Sequence, residues 1–149
     1  MLTPNGPKII EFNARFGDPE TQTYMRLLET DLLDIFNAIV DQKLSEIEIK
    51  WKNCFACNIV LASGGYPESY EKGKIISGIG DAEQEEGIVV FHAGTKKLDN
   101  IIVTSGGRVL GVTGLGATIK DAINKTYTAV NKINFEGMHY RKDIGKKAL

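Results

Sequence analysis

Several things are scarce in this sequence, and each scarcity excludes something. No apolar run reaches the length needed to cross a bilayer. The N-terminus has no charged stretch followed by an apolar core, so nothing reads as a secretory leader. Together these point to a cytoplasmic protein with no membrane partner. A basic surplus is also lacking: 18 Lys and Arg face 19 Asp and Glu, for a net charge of −1. Nucleic acid is therefore not an expected partner. No internal repeat or low-complexity segment is present.

Cysteine is reduced to a single pair, Cys54 and Cys57, in the order C-F-A-C. Such a pair can be half a zinc site or a redox couple. Here it sits in N-C-F-A-C-N-I-V-L-A, which reads as a buried strand, and strand residues three apart point to opposite faces. With no second C-x-x-C, the pair reads as structural. The only two histidines, His92 and His139, have no partner at metal-ligand spacing. His92 falls in an expected buried strand and reads as a hydrogen-bonded core residue.

What remains is ordinary globular composition: 149 residues, 42% hydrophobic and 25% charged. The length suits one medium domain, or one small domain plus part of another. Residues Lys8 to Arg15 alternate and predict a strand. Before them Pro4-Asn5-Gly6-Pro7 signals a hairpin turn, with only Met1, Leu2 and Thr3 left to form the partner. This predicts that Met1 was once internal to a longer protein. After a Gly-Asp-Pro turn, Thr21 to Leu28 predicts a short helix. Thr30 is the expected N-cap of a second, with Leu32, Leu33, Phe36, Ile39 and Val40 on its apolar face and an end near Lys43-Leu44.

Ile47 to Trp51 alternates and opens a strand-rich region. Strands are expected over Ala56–Ala62, Gly73–Ile79 and Gly87–Ala93, with a hairpin from Ile101 to Thr113 around Ser105-Gly106-Gly107. A final helix has Thr118 as N-cap and Asp121 three residues on, a variant of the capping box. Its apolar face is Ile119, Ala122, Ile123, Val130 and Ile133. The expected boundary lies near Glu48, giving units 1–48 and 49–149.

The stretch I-E-F-N-A-R-F-G-D-P-E, Ile10 to Glu20, carries the chemistry. On a strand Glu11, Asn13 and Arg15 share one face, and Ile10, Phe12 and Phe16 the other. Asn is a poor strand former, so its place there implies that its amide is used. A carboxylate and an amide oxygen are hard ligands suited to Mg2+. An adjacent guanidinium can stabilise charge on a phosphoryl or acyl-phosphate group. The same three residues also suit an edge strand with a surface ion pair.

Three other stretches carry weaker signals. V-L-G-V-T-G-L-G-A-T-I, Val109 to Ile119, imitates a dinucleotide-binding turn, but the third glycine position is Ile119 and no following parallel strand is in sight. It reads as a glycine turn into a capped helix. Ser63-Gly64-Gly65-Tyr66-Pro67 could offer amide groups to a phosphate, yet reads better as a tight turn. The tail Arg141-Lys142-Asp143-Ile144-Gly145-Lys146-Lys147 is basic, as a solvated face commonly is.

The run E-F-N-A-R-F-G-D-P-E-T-Q, Glu11 to Gln22, resembles the signature of the phosphoribosylamine–glycine ligases, ATP-grasp enzymes of purine synthesis. L-A-S-G-G-Y-P (Leu61–Pro67), F-H-A-G-T (Phe91–Thr95), G-G-R-V-L-G-V-T (Gly106–Thr113) and Y-R-K-D-I-G (Tyr140–Gly145) follow in the family's order. The resemblance implies an α+β chain: the end of an ATP-grasp catalytic domain, then a small antiparallel β-rich domain of barrel or sandwich-hybrid form with one main helix. It implies that Glu11 and Asn13 hold Mg2+ (or Mn2+) and that Arg15 lies near the acyl phosphate or substrate carboxylate. Asp18 and Glu20, in the Gly17–Glu20 turn, would shape the substrate side of the pocket. The implied reactants are ATP, glycine and 5-phosphoribosylamine, joined through a glycyl phosphate with release of ADP and phosphate. The ATP lid and the further metal-binding carboxylate that the family carries upstream are not in this sequence, so the missing N-terminal part of the same enzyme is an expected partner and the chain alone is expected to be inactive. Alternatives are another purine-pathway ATP-grasp enzyme, or a non-catalytic binding or assembly module.

Overall fold

A computed structural model describes residues 1–149. The chain opens with a minimal hairpin in which β1 (Leu2–Thr3) pairs antiparallel with β2 (Gly6–Pro7). Gly6 takes a φ of +88°, the left-handed region that glycine enters without penalty. The strand expected over Lys8–Arg15 does not form. A strand needs a neighbour to satisfy its amides and carbonyls, and the partner is used up when Lys8 N–H reaches Met1 O at 2.9 Å. Its apolar residues stay in solvent: Ile10 is 71% and Phe12 87% exposed.

Two short helices follow. The expected Thr21–Leu28 helix is α1 (Glu20–Leu27), and the second is α2 (Leu32–Val40). The α2 cap is Asp31 rather than Thr30: the Asp31 carboxylate accepts from Leu33 N–H at 2.8 Å. The Thr30 hydroxyl is engaged elsewhere, accepting from Lys50 N–H at 2.7 Å. The helix also stops at Val40, short of Lys43, where Gln42 turns to a φ of 58°. Ile47–Trp51 forms no strand; only Trp51 bridges, to Leu28.

The rest of the chain is β3 (Phe55–Ala62), α3 (Ile79–Glu83), β4 (Ile88–His92), β5 (Thr95–Leu98), β6 (Ile101–Thr104), β7 (Arg108–Gly116) and α4 (Ile119–Val130). The strands make an antiparallel sheet of order β3-β7-β4 and a separate hairpin β5-β6. The predicted Ile101–Thr113 hairpin is therefore corrected. β6 pairs backward with β5, and Ser105-Gly106-Gly107 carries the chain across to the other sheet, where β7 inserts between β3 and β4. The predicted Gly73–Ile79 strand is reduced to single bridges from Ile75 to Val103 and from Ser77 to Asn134. This is a small α+β fold with antiparallel sheets and few helices.

The β3 alternation explains the layering. Cys57, Ile59 and Leu61 are buried on the face that meets α4, while Ala56, Asn58 and Val60 look the other way, toward α1. β7 is buried on both faces, as a central strand covered by helices must be. Thr118 caps α4, accepting from Asp121 N–H at 3.1 Å and donating to the Asp121 carboxylate at 2.7 Å. The α4 face that packs down is Ala122, Ile123, Thr126, Ala129 and Val130.

Two glycines let α4 approach so closely. A Cβ at Gly116 would run into the backbone nitrogen of Ala122, and one at Gly114 would lie 2.5 Å from Thr126 Oγ1. Gly116→Ala and Gly114→Ala are expected to lower unfolding free energy by about 1–3 kcal/mol each through overpacking, measured by urea denaturation. Gly73→Ala is the contrasting case: it meets no atom, so any loss there comes from its positive φ alone.

Candidate functional site

The predicted residues lie on the connection from β2 to α1 and on the first turn of α1. Glu11, Asn13 and Arg15 are exposed and, although no strand forms, they stay together. Asn13 Nδ2 donates to Glu11 Oε1 at 3.4 Å, and an Arg15 guanidinium nitrogen donates to Asn13 Oδ1 at 3.0 Å. The same nitrogen donates to Phe16 O at 3.0 Å. The result is a row of carboxylate, amide and guanidinium open to solvent. Each amide oxygen has two lone pairs, so Asn13 Oδ1 retains one acceptor site. Glu11 and Asn13 thus offer two hard oxygens, the donor chemistry a small divalent cation takes. No group of three or more His, Cys, Asp or Glu side chains surrounds them.

Asp18 is not part of that row. Its carboxylate meets Arg108 Nε at 3.3 Å, its carbonyl accepts from an Arg108 nitrogen at 2.7 Å, and Gln22 Nε2 donates to its other oxygen at 3.1 Å. Arg108 stands at the start of β7, 90 residues away along the chain. The turn that follows Glu11, Asn13 and Arg15 is therefore fastened to the central strand of the main sheet. Glu20 instead borders a cleft of about 250 Å³ with Pro19, Thr23, Asn58, Ile119 and Ile144. One wall of that cleft is tied in place by Asn58, which accepts from Thr113 Oγ1 at 2.8 Å and donates to Pro19 O at 3.5 Å.

Sequence reasoning missed Arg108, Gln22 and Asn58. Arg108 had a visible signal: one cation opening an otherwise apolar strand, directly after Gly106-Gly107. Asn58 had one too: an amide inside an apolar strand pattern, where it packs poorly unless its amide is used.

The cysteines behave as structural residues: both thiols are free, with Cys54 half-buried and Cys57 buried. Burial raises the Cys57 thiol above its ordinary range, with the Thr126 hydroxyl opposing in part. His92 is a correction. It lies at the end of β4 but is exposed, its ring Nδ1 3.0 Å from Thr95 Oγ1, because the sheet edge there leaves the core. Ser63–Pro67 is a turn, as expected, with Tyr66 N–H on Ser63 O at 3.0 Å.

Residues 56–147 match the family description "Phosphoribosylglycinamide synthetase, C domain". Among curated proteins, a phosphoribosylamine–glycine ligase of Rhodopirellula baltica is 49% identical over 150 aligned residues, 100% of this chain and 34% of that protein. One from Nostoc sp. is 51% identical over 148 residues, 97% of this chain and 35% of that protein. The crystal structure of a phosphoribosylamine–glycine ligase from Thermotoga maritima superposes with a TM-score of 0.71 at 37% identity, over 97% of this chain and 35% of that one. The chain thus spans about a third of the length of the curated relatives it matches.

Two outcomes follow from this geometry. Arg108→Ala is expected to cost about 1–2 kcal/mol, combining a charge-assisted hydrogen bond with a half-exposed ion pair. Amide exchange should then quicken at Gly17, Asp18, Glu20 and Thr21 before it quickens in β3 or β7. For Cys57 the folded thiol titrates above the unfolded one. Its contribution is complete below the thiol range and lost as pH rises through it. Stability should therefore fall from about pH 8.5 upward, and Cys57→Ala should fall less over the same interval in pH-dependent denaturation.

Proposed function

This chain belongs to the phosphoribosylglycinamide synthetase family, and on that premise we propose that it supplies the C-terminal third of an ATP-dependent ligase joining glycine to 5-phosphoribosylamine in the cytoplasm. The observation that carries the reading is identity near one half across the whole chain with proteins named phosphoribosylamine–glycine ligase. In this reading residues 1–48 close an ATP-grasp catalytic domain and residues 49–149 form the β-rich C-terminal domain. A barrel or sandwich-hybrid form of the latter finds support in the bridges Ala62–His139 and Ile75–Val103, which tie loops onto β3 and β6, and Ser77–Asn134, which ties two loops together.

The reaction runs in two steps. A glycine carboxylate oxygen takes the terminal phosphoryl group of ATP, giving glycyl phosphate and ADP. The amine of 5-phosphoribosylamine then forms the amide bond at the glycyl carbon as phosphate leaves and the amine gives up a proton. Phosphoryl transfer of this kind is chiefly a matter of positioning and charge stabilisation. Glu11 and Asn13 would hold Mg2+ (or Mn2+) as two of its oxygen ligands; when bound, the ion neutralises charge on the nucleotide phosphates. Arg15, already docked on Asn13 Oδ1, presents positive charge beside that pair. It would stabilise negative charge on the transferring group. Asp18 and Glu20 line the substrate side, with Asp18 aimed by Arg108 and Glu20 facing the cleft.

Glu11→Ala and Asn13→Ala are each expected to remove at least 100-fold of glycine- and amine-dependent ADP release from the complete ligase, in line with losses seen when a group stabilising transition-state charge is deleted. Both side chains are exposed, so the circular dichroism and urea midpoint of the chain should not change. ADP release that survives both substitutions would sink the ligand assignment. A complete ligase that releases no ADP with glycine and the amine present would sink the functional reading itself.

A further inference from the structure

The basic tail loop is more ordered than a solvated charge run needs to be. Over residues 141–147 four cations stand against one acid, while the whole chain sits at −1. Positive charge is therefore concentrated in one place on an otherwise acidic molecule. The loop is also pinned. Tyr127 Oη donates to Arg141 O at 2.9 Å and accepts from Ile144 N–H at 3.2 Å, so one α4 hydroxyl clamps both ends of the turn. Gly145 takes a φ of +80° directly against Ile123, where a Cβ would collide.

The cations are free to act. Asp143 engages Arg141 through two parallel bonds, Nε to Oδ1 at 3.0 Å and a terminal nitrogen to Oδ2 at 2.7 Å. Of the five guanidinium N–H donors three remain, held in a fixed plane by the carboxylate. Lys142, Lys146 and Lys147 make no ion pair. Arg141, Ile144, Lys146 and Lys147 border a hollow of about 540 Å³. The hollow adjoins the substrate turn: Arg141 and Pro19 line one neighbouring cleft, and Ile144 and Glu20 line another.

We propose that the Arg141–Lys147 loop is the phosphate-monoester site of the ligase, holding the 5-phosphate of the phosphoribosylamine so that its amine projects toward the Asp18–Glu20 turn. This rests on the functional reading above. A planar, pre-oriented guanidinium with mobile ammonium groups around it matches a terminal phosphate better than a carboxylate, which has one oxygen fewer and half the charge. The adjoining clefts leave room for the ribose.

Isothermal titration of the 149-residue chain with ribose 5-phosphate tests the site directly, with ribose and inorganic phosphate as the other arms. Saturable binding of ribose 5-phosphate, competition by inorganic phosphate and silence from ribose are expected. Arg141→Gln and the pair Lys146→Gln, Lys147→Gln should each weaken binding at least 10-fold, whereas Lys120→Gln, on exposed α4 surface, should not. In the complete ligase Arg141→Gln should raise KM for the amine at least 10-fold and leave KM for glycine and ATP unchanged. No binding of ribose 5-phosphate, equal binding of ribose, or binding indifferent to both variants would overturn the proposal. So would an unchanged KM for the amine in an active ligase, and that outcome would leave the functional reading standing.

Discussion

Nearly everything in this chain is arranged around the burial of one strand. β7 is hydrogen-bonded on both edges, to β3 and β4, and covered on both faces. Burial on all four sides asks for small residues wherever a helix comes close, and β7 supplies them: Gly111 beneath Gln22 of α1, Gly114 and Gly116 beneath α4. Thr113, fully buried on the α1 face, is acceptable there only because its hydroxyl finds Asn58. Arg108 is the one charged residue of the strand, and it sits at the end, where its guanidinium can leave the core and take hold of Asp18.

That last contact links packing to function. The row of Glu11, Asn13 and Arg15, the proposed metal-side residues, belongs to a stretch with almost no structure of its own and no buried side chain. Its position is inherited from the turn behind it, which is fixed by Arg108, by the Asn58–Pro19 bond and by α1 lying on β3 and β7. Arg26 extends the attachment by donating to Gly87 O at 3.2 Å, and Lys52 closes it by donating to Arg26 O at 2.9 Å. Hydrogen bonds thus cross the proposed boundary near Glu48 repeatedly, tying Glu11–Leu27 to the strand-rich unit.

Elements whose burial repeats with the period of their own geometry were legible. β3 and β4 announced themselves by apolar residues and α4 by its face and its Thr118 cap, whereas α1, which buries no residue, was readable only as the run after the Gly-Asp-Pro turn. The misreadings share one cause: local pattern does not say which neighbour a segment will find. Lys8–Arg15 alternates well but has no strand to pair with. Ile101–Thr113 contains two strands and a glycine turn, yet the turn changes sheets instead of closing a hairpin. The real hairpin, β5-β6, is half exposed and lacks alternation, so its signal lay only in Asp99-Asn100, where Asp99 adopts a φ of 52°. Thr30 and Asp31 are equally good caps by type, and the choice was made by Lys50, twenty positions on from Thr30. Of the candidate site, the residue types and their order were readable; the anchoring through Arg108 was not, because it depends on a contact across 90 residues.

The central claim is that α1 and the turn before it are part of one cooperative body with β7. Native-state hydrogen exchange across a urea series tests this most directly, by following amides of Tyr24–Leu27 alongside those of Leu110–Thr113. The account predicts that both sets merge into the same opening, with the same free energy and the same denaturant dependence. If the α1 amides exchange through a separate opening of lower free energy and shallow urea dependence, the turn and the residues before it are not anchored by the sheet and the account fails.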